Sequence, residues 1–282
     1  MKRLLVTGGT GYLGAAIVRL AHDAGYAVTA TRVASPPADP RARWQTLDLR
    51  DGAAVDTLLD TIRPELVVHT AYVQDGPDLE KITVAGAAAV ARAARRVGAR
   101  LIHLSSDVIF DGTRAGGYTE TDQPAPINAY GVAKASAEEM VRGAHPAASI
   151  VRTSLIYGGS RTHMSRHEQF VLDSLDPESS VAFFADELRS PVQIDDLAAA
   201  IVELLATPHS GVLNLAGADT VSRFEFAQRI ARLHGRDPEL LRSGTIAGSG
   251  LRRPRNCALD IGVASALLIT RLRGVREVLP EA

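Results

Sequence analysis

From Lys2 to about Ile109, short runs of apolar and β-branched residues alternate with longer stretches of helical spacing, and a turn signal follows each run. The runs Leu4-Leu5-Val6-Thr7, Val28-Thr29-Ala30-Thr31, Trp44-Gln45-Thr46-Leu47, Leu66-Val67-Val68-His69 and Leu101-Ile102-His103-Leu104 are mostly apolar throughout, as expected of strands covered on both faces. Helices are predicted over 13–24, stopped by Gly25, over 53–62, stopped before Pro64, and over 79–97, stopped by Gly98. Strands joined by helical crossovers predict an α/β fold with a doubly wound parallel sheet. Past Asp107 the rhythm breaks into a loop rich in Gly, Pro and Asp, from Phe110 through Gly116, Gly117 and Asp122 to Pro124 and Pro126, and a helix starts near Asn128. A connection of that length is usually functional. Ser149-Ile-Val-Arg-Thr153 restores the sheet, and from Tyr157 the pattern loosens. The expected division is a first domain over 1–157 and a smaller lobe over 158–282, with segments near 195–216 returning to the main sheet.

The first strand runs into Gly8, Gly9, Gly11 and Gly14, and an amphipathic helix follows. Glycines there permit a tight turn and let backbone approach a pyrophosphate, while the helix start offers free N–H groups and its positive dipole end. Glycine spacing alone is weak evidence. With a strand before it, a helix after it and a complete βαβ unit, it points to dinucleotide binding, so the first domain reads as a Rossmann domain. The acid expected about 20 residues on, at the end of the second strand, is missing, and Thr31-Arg32-Val33 stands there. A guanidinium can pair with the 2′-phosphate of NADP, which a carboxylate would repel. NADP(H) is therefore preferred, NAD(H) remains possible, and a merely solvated Arg32 is the plainer alternative. Arg41 and Arg43 are vaguer candidates of the same kind.

Tyr130 and Lys134, four positions apart at the start of a helix, share one face. A free phenol has a pKa of about 10, and a neighbouring ammonium favours the phenolate, which makes the tyrosine usable as an acid near neutrality. Such pairs also occur by chance on ordinary helices. Here the pair follows a fifth strand ending in Ser105-Ser106-Asp107, at the carboxyl edge where open α/β sheets bind ligands. A hydroxyl from that edge can hydrogen-bond the reacting oxygen, with Ser106 preferred and Ser105 its near rival. Asp107 either orients substrate or tunes the tyrosine, or else caps the following loop.

Composition changes this picture little but excludes some alternatives. The 31 Lys+Arg against 32 Asp+Glu give a formal charge of −1, which provides no global field for nucleic acid or an anionic membrane. The N-terminal apolar run stops at Val6, too short for a signal peptide, and no segment is long enough to span a bilayer. Cys257 is the single cysteine, which rules out an internal disulfide or a cysteine metal cluster within one chain, so the cytoplasm is the expected compartment. His163 and His167 beside Glu168 lack a third well-spaced ligand, so a solvated substrate lid is preferred to a metal site and no metal is expected. Arg161, Arg166, Arg189, Arg252, Arg253 and Arg255 could clamp a diphosphate, although surface solvation is the default for most of them.

Together these residues resemble the extended short-chain dehydrogenase/reductase superfamily, and within it the dTDP-4-dehydrorhamnose reductase-like branch, nearly end to end. The resemblance is carried by Thr7-Gly-Gly-Thr-Gly-Tyr-Leu-Gly14, Leu47-Asp-Leu-Arg-Asp51, Val68-His-Thr-Ala-Tyr72, Leu104-Ser-Ser-Asp-Val-Ile-Phe-Asp-Gly112 and Pro126-Ile-Asn-Ala-Tyr-Gly-Val-Ala-Lys134. It implies cofactor contacts at Gly8, Gly11, Tyr12, Leu13 and Gly14. It also implies Asp48 and Leu49 beside the adenine, Thr70, Ala71 and Tyr72 along the cofactor's middle, and Ser106, Tyr130 and Lys134 as the catalytic triad. Asp107 matches an acid that this branch carries beside its catalytic Ser or Thr. The implied activity is NAD(P)H-dependent reduction of a keto group on a nucleotide-activated sugar, and a homodimer is possible. Val108 and Leu155 stand where dTDP-rhamnose reductases typically carry aromatic residues, so a more aliphatic pocket is expected. The alternatives are a nucleotide-sugar epimerase or dehydratase, and a non-catalytic NADP-binding subunit like the regulatory subunit of methionine adenosyltransferase, which is similar to the same branch.

Overall fold

The computed structural model describes residues 1–34, 39–159, 164–279 and 281. The mostly apolar runs form β1 (Arg3–Thr7), β2 (Ala27–Arg32), β3 (Arg43–Thr46), β4 (Leu66–His69), β5 (Arg100–Leu104) and β6 (Ser149–Arg152). Between them lie α1 (Tyr12–Asp23), α2 (Gly52–Ile62), α3 (Gly86–Arg96) and α4 (Ala129–Ala144). With β11 (Gly211–Asn214), these strands make one seven-stranded sheet in the order β11-β6-β5-β4-β1-β2-β3. Reversal of strand order beside β1 is the Rossmann pattern, and it places ligands at the carboxyl ends of the strands.

The chain forms two compact units, the first comprising Met1–Ser106, Ala129–Arg152 and Ala198–Leu213. Its sheet has Leu5, Val67 and Leu101 in register across β1, β4 and β5. That row packs with Leu59, Val90, Ala137 and Val141 in one fully buried apolar cluster. Each of the leucines and valines contributes roughly 1.5–3 kcal/mol relative to exposure. Spacing predicts a single helix over 79–97, whereas the structure opens it with a π-helical stretch, Glu80–Ala85. There the Thr83 hydroxyl donates to the Val73 carbonyl at 2.9 Å and accepts from the Val73 N–H at 3.1 Å. Gly86, the first residue of α3, lies so close to Leu49 that a Cβ would be 2.9 Å from the leucine's own. The wider turn satisfies both contacts, and such turns recur near functional sites.

The second unit comprises Asp107–Asn128, Thr153–Leu197 and Asn214–Ala282. Its strands are short: β7 (Ile156–Tyr157) pairs with β10 (Val192–Gln193), β8 (Ala182–Phe184) with β13 (Arg242–Gly244), and β9 (Leu188–Arg189) with β12 (Val221–Ser222). They surround a second apolar cluster that includes Tyr157, Phe183, Phe226, Ile230 and Leu241, to which Leu155 adds its partly buried side chain. Helix α5 (Arg166–Asp173) starts with a capping box of Ser165 and Glu168, and the Glu168 carboxylate also accepts from the Gly158 N–H at 3.3 Å. Helix α6 (Ile194–Leu204) lies between β10 and β11 in the chain, and α7 (Arg223–Leu233) follows β12. Among the described residues no helix is long and apolar enough to cross a membrane.

Candidate active site

The glycine turn is built by exclusion of side chains. Gly8 has φ +73°, and a Cβ on it would lie 2.9 Å from the Ala71 backbone. A Cβ on Gly14 would lie 2.2 Å from the Gly8 carbonyl oxygen. Thr31 ties the loop to β2 by accepting from the Gly8 N–H with its hydroxyl and from the Gly9 N–H with its carbonyl. Thr70 donates to the Thr7 carbonyl at 2.7 Å and so holds the end of β4 against the same turn. Gly11, the N-cap of α1, has no side chain to cap it and no acidic residue stands in the first turn, so the positive end of the helix dipole opens beside the glycine turn. A closely approached backbone and an uncapped helix start suit a pyrophosphate.

The other expected cofactor residues border this turn. Arg32 ends β2, and its carbonyl accepts from the Leu47 N–H. Arg41 is committed elsewhere, forked onto Asp39 and paired with Asp23 at 2.7 Å. The Asp48 carboxylate is held by Arg50 at 2.6 Å, and that arginine also pairs with Asp78, so Arg50 keeps the Asp48 carboxyl below its usual range. Leu49 is buried beneath Gly86, while Tyr72 is half exposed.

Helix α4 presents Tyr130 and Lys134 from its first turns. The Lys134 side chain is 3 % exposed and donates to the Leu104 carbonyl at 2.5 Å. The bond pins the lysine to the last residue of β5, just before Ser105 and Ser106. Its amine lies 5.4 Å from the centre of the Tyr72 ring, which in turn lies 5.7 Å from that of Tyr130. Burial lowers the Lys134 pKa to about 8, against a smaller opposing pull from Glu138. Ser105 is buried with its hydroxyl unpartnered among the described residues, whereas Ser106 is partly exposed. Exposure favours Ser106 as the hydroxyl that meets a ligand.

The chain passes into the second unit at Asp107, which is 2 % exposed. Its carboxylate accepts from the Ser154 hydroxyl at 2.6 Å and lies 3.7 Å from Arg189. Arg189 is buried, paired with Glu187 at 3.0 Å and bonded to the Pro254 and Leu188 carbonyls, so it braces the unit from within. Arg253 reaches the same Glu187 at 2.9 Å, while Arg255 stays largely exposed. Arg161 and His163 lie outside the described residues. His167, at the start of α5, has its pKa lowered to about 3, by burial first and neighbouring arginines second.

Glu138 and Arg152 do not stand out in the sequence. Their side chains are each 1 % exposed and pair at 2.9 Å, joining α4 to β6. The spacing of Tyr130, Lys134 and Glu138 by fours was the available signal, since it places Glu138 on the same helix face.

The fold is that of the extended short-chain dehydrogenase/reductase type. The whole chain, residues 1–282, matches the family described as RmlD substrate binding domain, and it belongs to that family. It is 33% identical to the dTDP-4-keto-6-deoxy-D-glucose reductase of Streptomyces niveus over 91% of this chain and 88% of the relative. It is 31% identical to the protein named probable low-salt glycan biosynthesis reductase of Haloferax volcanii, over 91% of this chain and 89% of the relative. Its fold also matches the dTDP-4-dehydrorhamnose reductase of Bacillus anthracis solved in complex with NADP, with a TM-score of 0.81 at 24% identity over 97% of this chain and 95% of the other.

Proposed function

We propose that the protein reduces the keto group of a nucleotide-activated sugar, with NADPH as the preferred hydride source and Tyr130 as proton donor. The observation that carries this reading is the buried Lys134 amine, anchored on the Leu104 carbonyl one helical turn from Tyr130, at the carboxyl edge of the sheet that also bears the glycine turn. The names of the relatives from Streptomyces niveus and Haloferax volcanii, both reductases, support it.

The residues fit a dinucleotide, because only glycine is accommodated at Gly8 and Gly14, where a Cβ would strike the Ala71 and Gly8 backbone, and this tight turn runs into the start of α1, whose N-cap Gly11 has no side chain. When bound, the nicotinamide supplies the hydride. Gly8, Gly11, Tyr12, Leu13 and Gly14 hold the diphosphate, Asp48 and Leu49 border the adenine, and Thr70, Ala71 and Tyr72 line the middle. Arg32 pairs with the 2′-phosphate. Lys134, with a pKa of about 8, is mostly charged at neutral pH. It binds the nicotinamide ribose, and its charge favours release of the Tyr130 phenolic proton to the substrate oxygen. Ser106 donates a hydrogen bond to that oxygen, and Asp107, fixed by Ser154 and Arg189, holds the adjoining backbone.

The test is NADPH oxidation with dTDP-4-keto-6-deoxy-D-glucose as substrate. Net consumption is expected, falling by about 100-fold or more in Tyr130→Phe, in line with the usual contribution of a general acid. An unconsumed cofactor alongside an isomerised sugar would establish the epimerase alternative, and dehydration of the corresponding dTDP-hexose without net cofactor turnover the dehydratase one. Arg32→Ala should raise the KM for NADPH roughly tenfold and leave that for NADH nearly unchanged, the loss expected for one charge-assisted bond.

A further inference from the structure

Across β1, β4 and β5 the sheet face that packs on α3 and α4 carries two successive rows. The first is Leu5, Val67 and Leu101; two residues further on, in the same register, stand Thr7, His69 and His103. The face thus turns from apolar to polar at the level of Leu104, whose carbonyl receives Lys134. Both imidazoles are 1 % exposed, and their rings stack with centroids 5.3 Å apart at 24°. The Thr7 hydroxyl and His69 Nδ1 are 2.6 Å apart. His69 Nε2 and both nitrogens of His103 have no hydrogen-bond partner among the described residues. Each buried polar atom left so would cost about 1–3 kcal/mol, an expense that a merely structural site would avoid with apolar residues.

A neutral imidazole presents one N–H and one lone pair. Burial, followed by the charge of Lys134, keeps both rings neutral, with His69 lowered to about 3 and His103 well below its usual value. A neutral ring with a lone pair is a good acceptor for an ammonium. The other groups facing the Lys134 amine give it little solvation. From α4 come Tyr130 and Glu138, the latter already paired with Arg152 of β6. From the segment after β4 comes the face of Tyr72. Helix α3, packed against α4, presents Ala87, Val90, Ala91 and Ala94 to the core.

We propose that His69 and His103 are positioning residues for the reduction, a neutral stacked pair whose lone pairs, through one bridging water, solvate the Lys134 ammonium and keep it charged and aimed. Their importance for reduction rests on the function proposed above, but their effect on the lysine does not. With its pKa at about 8, a further fall of about one unit or more would leave much of the population uncharged at pH 7.

The experiment is NMR titration of the Lys134 side-chain nitrogen, without substrate or cofactor, in the wild type, His103→Phe, His69→Phe and His103→Gln. The phenylalanine variants should lower the lysine pKa by about one unit or more, and glutamine, which retains an acceptor, should restore much of it. In the reductase assay, His103→Phe should then lose about twofold in kcat at pH 7 for a one-unit fall and regain most of it at pH 6, where the lysine is mostly charged in both proteins. An unmoved lysine titration in a folded variant would overturn the proposal even if activity fell. So would imidazole nitrogen shifts showing His103 charged at pH 7 in the wild type, a measurement that requires no variant. A moved titration in a protein inactive on keto sugars would preserve the inference and refute the functional reading.

Discussion

Lys134 carries an ammonium where burial disfavours it, and stability should register that. Its folded pKa of about 8 lies below the ordinary 10.5, so between those values the unfolded chain binds more protons than the native one. Stability attributable to this group therefore rises as pH climbs from 8 to 10.5, and below pH 8 a constant cost of about 3 kcal/mol remains. Lys134→Met should accordingly raise the thermal midpoint at pH 7, by less than that cost implies because the bond to the Leu104 carbonyl is lost. The gain should shrink toward pH 10.5, while reductase activity disappears. Thermal denaturation at several pH values decides it, and an unchanged or lower midpoint at pH 7 would contradict the assigned cost. Gly14→Ala tests the glycine turn in the same direct way. Its methyl would press on the Gly8 carbonyl at 2.2 Å, so NADPH affinity measured by fluorescence titration should fall by about tenfold or more.

At the scale of elements, the Glu138–Arg152 pair fastens α4 to β6 eight residues beyond Tyr130. Removing one partner from a buried pair strands the other charge, so Glu138→Gln should destabilise by about 3–5 kcal/mol in denaturant unfolding. Glu138→Leu combined with Arg152→Met should recover most of that, because neither charge is then left buried. Neither residue stood out in the sequence, since burial of both depends on a helix and a strand meeting across the sheet. The glycine turn, the boundaries of most strands and the return of 211–215 to the sheet were legible, because each rests on local spacing or on continuous apolar runs. The π-helical stretch before α3 was not, because it accompanies a side-chain tie from Thr83 to Val73 that no periodicity encodes. Arg189 read as a candidate diphosphate clamp or a solvated surface residue, but its partners, Glu187, Pro254 and Asp107, converge on it only in the fold. The Thr7, His69 and His103 row likewise needs the register of three strands.

At the scale of the whole molecule, both units are assembled from separated stretches of chain, which no linear composition signal marks. The sheet order places β3, with its largely exposed residues, at one border and β11 at the other. Between Arg152 and Gly211 the chain builds much of the second unit before returning to complete the first. During synthesis, β6 thus emerges well before the strand that will cover its free hydrogen-bonding side. For some sixty residues of elongation, at roughly 5–20 residues per second, a buried strand is a bare edge able to pair with a neighbouring nascent chain. The order of emergence from the ribosome makes this the interval in which the protein is most open to misassembly, and slow translation of residues 153–210 would lengthen it.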